Sequence, residues 1–297
     1  FIDFKKKDGV FQSYLIEAYG LKLNKYENIK YNSLPIPNLE IQNAEISIEN
    51  DSLKINVVNL NIYPKFLSLY NYENFEAKKI VLDRSKIILN DSDLKILFNY
   101  FYNLKNSIAF KKLDLTINKK IEFLVRLKKI YFSNFGYNKN IFKGEIFNKK
   151  FKFTVNDEYN KINFKLLKTG ITADINFNEI KERSKVGGTL KSKFFNSNLK
   201  FDFDYNDKKL KIYNSYFRNK NLSFNNESTI TFRPFFYSNS IFELEDINVK
   251  ILKEININKI LNSKNLIKKV NTKNKINFKS KKFTNNLIDD LNLNINL

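Results

Sequence analysis

The sequence predicts a mainly β protein with a few helices (α+β): a long, curved antiparallel β-sheet or groove, with helices in the amino-terminal part and near the carboxyl terminus. Three observations predict it. Apolar residues recur at every second position over many short runs, polar turn clusters separate those runs, and helical spacing of apolar residues is confined to a few places. At 297 residues and 42% hydrophobic content, the chain is long enough to bury a sizeable core.

The first element places Phe11, Tyr14, Leu15, Ala18 and Tyr19 on one helical stripe, with Gly20 where a left-handed C-terminal cap belongs. Such a stripe suits packing on a sheet edge, or alternatively a membrane surface. Leu34-Pro35-Ile36-Pro37 then enforces an extended entry, because each proline fixes its own φ and biases the preceding residue towards β. Leu39 and Ile41 share one phase and Ile46 and Ile48 the other, which puts a bulge at Asn43-Ala44; Leu53, Ile55 and Val57 change phase in the same way to Val58, Leu60 and Ile62. Pro64 opens a short helix, Lys65 to Tyr70, before the strands around Phe75 to Leu89. Asp91-Ser92-Asp93 supplies an N-cap, and Leu94, Leu97, Phe98, Phe101, Leu104 and Ile108 fall at helical spacing. That helix would cover one end of the sheet, or act as a lid over a groove.

Beyond Leu113 the alternation is regular: Phe151, Phe153, Val155; Ile162, Phe164, Leu166; Ile171, Ala173, Ile175, Phe177; Leu199, Phe201, Phe203, Tyr205. Lys, Asn, Asp and Thr fill most positions between, as expected of an antiparallel meander with one apolar and one polar face. Asn-Asp-Glu, Lys-Thr-Gly and Asn-Asp-Lys are its turns. The pattern continues through Leu222/Phe224, Ile230/Phe232 and Ile247/Val249/Ile251, then a helix around Ile257 to Val270, and closes on Leu291, Leu293, Ile295 and Leu297. Without a low-complexity linker the whole is expected to be one continuous domain, 1–297, helix-decorated over 1–110 and a meander over 111–297. A chain with no Met that ends on a strand reads as part of something longer.

The composition bears on chemistry mainly by exclusion. Lys+Arg 52 against Asp+Glu 31 gives +21, but the lysines are scattered along strands. Abundant Lys, Asn, Ile, Phe and Tyr with scarce Gly, Pro, Ala and Arg suggest AT-rich drift, so the charge reads first as solvated surface and second as a basic face for an anionic partner. Zero Cys and zero His remove thiolate chemistry, imidazole general bases and the usual zinc ligand sets. Gly187-Gly188 reads as a turn. The carboxylate groups Asp91/Asp93, Asp202/Asp204, Glu243/Glu245/Asp246 and Asp289/Asp290 read as solvated; Asp202 and Asp204 alternate with Phe201 and Phe203 and so fall on the polar face. No catalytic residue, metal site or cofactor is expected, and no run of about 18 apolar residues occurs to span a membrane as a helix. A meander this long has more apolar face than two or three helices cover, so a second sheet, a closed barrel or a lipid must take up the rest.

The stretch Leu34-Pro-Ile-Pro-Asn-Leu-Glu-Ile-Gln-Asn-Ala-Glu-Ile-Ser-Ile, then Val57 to Ile62, Pro64-Lys-Phe-Leu-Ser-Leu-Tyr and Phe75 to Leu89, resembles the amino-terminal region of AsmA-family proteins. There a proline-containing segment leads into a strand, and a second strand reaches a short helix before a third. Ser68-Leu69-Tyr70 departs from the family's usual leucine, and Arg84-Ser85 stands where a proline often sits. The resemblance covers about residues 31 to 90; the later meander agrees in style.

It implies a bacterial inner-membrane protein facing the periplasm, its anchor outside the chain shown, with a repeating β-groove that carries phospholipid or another acyl-chain lipid for outer-membrane biogenesis. The alternating face would be the lipid-facing surface: Phe151, Phe153 and Val155; Ile162, Phe164 and Leu166; Ile171, Ile175 and Phe177; Leu199, Phe201 and Phe203. The partners expected are lipid, membrane and outer-membrane proteins, not nucleic acid. The alternatives are an assembly factor that binds outer-membrane proteins through strand edges, then a basic nucleic-acid binder, then an enzyme built on paired carboxylates.

Overall fold

The computed structural model of the chain describes residues 8–48, 53–69, 75–119, 122–178, 185–206, 208–232, 236–247, 271–279 and 290–296. The protein is mainly β, mostly antiparallel and open rather than closed into a barrel, with two α-helices among the described residues. It divides into two compact units, Phe1–Thr154 and Val155–Leu297.

Unit 1 starts with helix α1 (Asp8–Tyr19), which Gly20 ends in the left-handed conformation (φ 62°) with its N–H on the Ile16 carbonyl at 2.9 Å. Strands β1 (Leu21–Lys25) and β2 (Asn28–Asn32) share one edge of β3 (Asn38–Ile48). β4 (Leu53–Pro64) and β5 (Ala77–Asn90) follow antiparallel. β6 (Ile108–Lys119) is parallel to β5, and β7 (Glu122–Ser133), β8 (Ile141–Ile146) and β9 (Lys149–Val155) complete the sheet. A parallel step requires a crossover, and α2 (Leu94–Asn103), entered through a 3-10 turn at Asp91–Asp93, supplies it. This helix is shorter than its apolar spacing suggests. Leu104 is extended, and the Ile108 N–H turns to Asn134 Oδ1 at 2.8 Å to start β6. Pairing beside Ile80 overrides the helical period there.

Both helices lie on the apolar face. Phe11, Leu15 and Tyr19 of α1 and Leu97 and Tyr100 of α2 are buried with Ile46, Ile55, Leu60, Ile80, Leu82 and Phe110 of the strands. Phe11 and Tyr14 meet Phe75 edge-on, with centroids 4.8 and 5.2 Å apart, and the Phe101 ring reaches Phe110 and Phe132 at 5.7 and 5.0 Å. The α1 stripe is thus core. Each large apolar side chain so buried contributes roughly 1.5–3 kcal/mol.

At Asn43, where a bulge is expected, β3 and β4 keep register, with Gln42 opposite Asn59 and Ala44 opposite Val57. The phase reverses there through a left-handed residue that is one member of a row. Asn43, Arg84, Lys112 and Lys129 all have φ near 50°, on β3, β5, β6 and β7. The register aligns Asn43 with Val58, Arg84 and Lys112, since Gln42 pairs Asn59, Asn59 pairs Asp83 and Asp83 pairs Lys111. Each such residue inverts the period of two, so buried positions pass from Ile41 to Ala44, Val57 to Leu60 and Leu82 to Ser85 without leaving the helix-covered face.

On the opposite face the Asp114 carboxylate ties the row together: Arg126 Nη2 donates to Oδ2 at 2.6 Å and the Lys129 backbone N–H donates to Oδ1 at 3.0 Å. Burial alone would raise this carboxyl, but the Lys129 N–H and the Arg126 guanidinium outweigh it and hold it below its ordinary value. A depressed carboxyl stabilises the fold above its unfolded pKa and loses that contribution as pH falls through its folded value. Asp114→Asn should therefore destabilise by about 1–2 kcal/mol at neutral pH. Thermal melts of the two proteins should differ at pH 7 and converge as the pH falls below the ordinary carboxylate range; a difference that persists in acid would assign the effect to packing.

In unit 2 every described element is a strand of one sheet: β10 (Lys161–Leu166), β11 (Ile171–Phe177), β12 (Lys185–Phe194), β13 (Ser197–Asn206), β14 (Lys209–Arg218), β15 (Leu222–Thr231), β16 (Tyr237–Ile247), β17 (Asn271–Lys279) and β18 (Asp290–Asn296). They pair in chain order and antiparallel, except that β16 and β17 are parallel. The helix expected around Ile257 to Val270 lies outside the described residues, as do Val249, Ile251 and Leu297.

Candidate functional site

The cross-strand register of unit 2 gathers its apolar residues on one face. One row runs Phe164, Ala173, Ser192, Leu199, Phe217, Phe224, Leu244 and Phe278 over β10 to β17. Seven interstrand spacings make it about 34 Å long. The next row holds Ile162, Ile175, Leu190 and Phe201, and across β16 and β17 Phe242 and Ile276. A third holds Phe177, Gly188, Phe203 and Ile212. Ring contacts knit the rows: Phe217 stacks on Phe224 at 4.8 Å, Phe224 meets Phe242 at 5.6 Å and Phe177 meets Phe203 at 6.2 Å.

Nothing else described in unit 2 lies on this face, because every described element there belongs to the sheet itself. Its side chains are accordingly half-buried: Ile162, Phe164, Leu166, Ile171, Ile175, Phe177, Leu199, Phe201 and Phe203 are all intermediate in exposure. Unit 1 differs sharply. All the fully buried apolar residues among those described belong to it, except Phe278.

Of the residues expected to face lipid, these nine share the unit 2 face. Phe151 and Phe153 sit in β9 in unit 1, where Phe151 is buried against Gly144 and Phe153 meets Phe142 at 5.4 Å. Val155 ends that strand, half-buried. Phe224, already part of the alternation, belongs to the face too, and so do Leu190, Ile212, Phe217, Phe242 and Phe278, which the alternation of the sequence did not single out. In β14 the signal was disguised by Asn214, whose left-handed φ of 48° inverts the period so that Ile212 and Phe217 share a face despite their odd spacing. An Asn between two out-of-phase apolar pairs is the cue.

Gly187-Gly188 is not a turn but lies inside β12. A Cβ on Gly188 would stand 2.4 Å from the Asn176 carbonyl oxygen and 3.0 Å from Phe203 Cζ. The glycine lets the Phe203 ring lie flat over the neighbouring strand.

The polar face opposite is solvated. Asp202 accepts from Thr189 Oγ1 at 2.6 Å and Asn214 Nδ2 at 3.0 Å, and these two bonds hold its carboxyl below the usual value. Two concavities lie among the described residues. One of about 670 Å³ in unit 1 is lined by Tyr19, Gly20, Ser47, Tyr100 and Asn106, with the Tyr100 hydroxyl buried and unpartnered. Burial raises the Tyr100 phenol well above its ordinary range, so it remains neutral. The other, about 370 Å³, opens where Asn214 interrupts the β14–β15 ladder, between Glu227 and Glu243. Among the described residues no three acidic side chains come together to hold a metal ion.

Comparisons with protein-family models, curated proteins and solved structures give no match. The chemistry of the site therefore rests on its own geometry.

Gly188→Ala should cost about 1–3 kcal/mol through overpacking, read as a lowered melting temperature of the full chain. An unchanged melt would mean that Phe203 does not need the close approach.

Proposed function

We propose that the apolar face of unit 2 accommodates the acyl chains of phospholipid or a related lipid, and that the chain is a non-catalytic, AsmA-like protein of outer-membrane biogenesis that faces the periplasm at the inner membrane. The observation that carries this reading is a continuous apolar face, rich in phenylalanine, with no described element of its own unit upon it. Half-exposed rings are stabilised by any apolar cover, and each acyl CH₂ buried there contributes roughly 0.8 kcal/mol. Large exposed apolar patches mark binding surfaces. The face also has the form such a ligand needs, being long in one direction, with charged side chains on the other side of the sheet and mainly serines interrupting the apolar rows. The resemblance over residues 31 to 90 supports the cellular setting. As for attachment, no helix among the described residues is long and apolar enough to cross a membrane.

The test is photo-crosslinking in cells with a probe amino acid at Phe164 or Phe201, against Lys165 or Asp202 on the polar face. Lipid adducts are expected at the first pair and absent from the second, and Phe164→Asp with Phe201→Asp should abolish function. Protein adducts without lipid at Phe164 and Phe201 would instead favour an assembly factor.

A further inference from the structure

Three turns of unit 2 leave the sheet at one level: 167–170 between β10 and β11, 195–196 between β12 and β13, and 219–221 between β14 and β15. The register fixes this, because Thr172 pairs Lys193, Asn198 pairs Arg218 and Arg218 pairs Ser223, with Leu166–Ile171 and Phe194–Ser197 closing the row beyond. Neighbouring tips are about 10 Å apart.

The middle tip is Phe195, 78% exposed, with φ 45° at the first position of a two-residue turn whose second is Asn196 with φ 64°. Such turns favour Asn, Asp or Gly at both positions. A phenylalanine there takes an unfavourable backbone conformation and gains little burial among the described residues, as Phe147 also does in the matching Phe-Asn turn of unit 1; what sets Phe195 apart is the charge around it. Leu167, 41% exposed, is the neighbouring apolar tip.

The charge on these turn segments themselves is of one sign. Exposed Lys165 and Lys168 flank the first turn, Lys191, Lys193 and Lys200 the second, and Arg218 and Lys220 the third, while segments 165–172, 191–200 and 216–224 contain no Asp or Glu. Carboxylates resume on β16, where Asp246 pairs Ser223 beside the third turn and Glu243 and Glu245 precede it, and the turn at 156–160 on the opposite end holds Asp157 and Glu158. The basic zone is thus confined to the three tips. It adjoins the apolar face directly, since Phe194 lies 6.1 Å from Phe217 just below the turns.

We infer that this end of unit 2 docks on an anionic phospholipid bilayer: Phe195 and Leu167 enter the interfacial layer while the surrounding Lys and Arg meet lipid phosphates. Apolar tips ringed by long basic side chains match the bilayer interface, where the rings reach hydrocarbon and the ammonium groups stay among headgroups. A single-stranded nucleic acid fits less well, because it needs successive stacking rings and the tips offer one ring and a leucine. The inference stands apart from the acyl-chain proposal, which concerns Phe164 and Phe201.

The test is co-sedimentation of the full chain with phosphatidylcholine vesicles, with and without phosphatidylglycerol. Binding should need the anionic lipid and weaken as salt rises. Phe195→Asn supplies a residue the turn prefers, so the melting temperature should hold or rise while vesicle affinity falls about tenfold or more. Lys168→Glu with Lys220→Glu should lower affinity by at least about fivefold for each cation removed. Equal binding to neutral vesicles, affinity unchanged by Phe195→Asn, or variants that weaken binding to a single-stranded DNA oligonucleotide but not to vesicles would each overturn the inference. Loss of vesicle binding with lipid adducts retained at Phe164 would confirm docking and acyl-chain capture as separate properties.

Discussion

A sheet whose strands alternate apolar and polar residues has one face that water does not satisfy, and the way that face is covered governs the rest of this structure. In unit 1 the cover is helical. α1 lays Phe11, Leu15 and Tyr19 on the strands, and α2 adds Leu97 and Tyr100. The position of α2 follows from topology: β5 and β6 are parallel, so the chain must cross the sheet between them, and the crossing segment is the helix that buries the face. The row of left-handed residues serves the same end. If Asn43, Arg84 and Lys112 did not reset the alternation together, half of each long strand would turn its apolar side chains to solvent.

Unit 2 has the same alternation without that supply of cover. From β10 to β16 consecutive strands pair antiparallel and are separated by no more than seven residues, too few to carry an element back across the sheet. The one parallel step is from β16 to β17, and its connection lies outside the described residues. The half-exposure of Phe164, Phe201, Phe203 and Phe217 is thus a consequence of connectivity, not of weak apolar patterning. The strands alternate as those of unit 1 do, and no described element of their own unit lies over that side.

The β character was legible because period-two alternation is local: it needs only the order of residues. The runs at Ile162, Ile171 and Leu199 all became strands, and Asn43 could be located as a break in phase. What escaped was set by contacts between strands. Gly187-Gly188 looks like a turn in isolation, and only the neighbouring strands explain two glycines inside β12: Asp204 Oδ1 crowds Gly187, and the Asn176 carbonyl and the Phe203 ring crowd Gly188. Asn214 hid β14 by inverting its period. Leu104 and Ile108 kept helical spacing beyond the end of α2, where pairing with β5 won. The apolar face was legible in kind, through Phe164 and Phe201, but not in extent, because membership on β14 to β17 depends on register. Phe151 and Phe153 carry the same alternation yet fall in unit 1, where Gly144 and Phe142 occupy their surroundings. Alternation alone cannot separate a packed face from an open one.

The face is also graded along the strands, which narrows what it can hold. Towards the end away from the basic tips, the row of Phe177, Phe203 and Ile212 continues across β15 and β16 as Ser228 and Ser240. Ser228 donates to Ser240 at 2.9 Å and Ser238 lies 3.2 Å from Ser240, all three buried among larger neighbours. Hydroxyls that satisfy one another in this way need no water, but they offer an acyl chain less apolar contact than a phenylalanine row. The longest unbroken apolar contact therefore runs from Leu199 through Phe217, Phe224 and Leu244 to Phe278, next to the Arg218 and Lys220 tip. Apolar area and positive charge coincide at one end of the sheet, as where Phe217 precedes Arg218 at the end of β14.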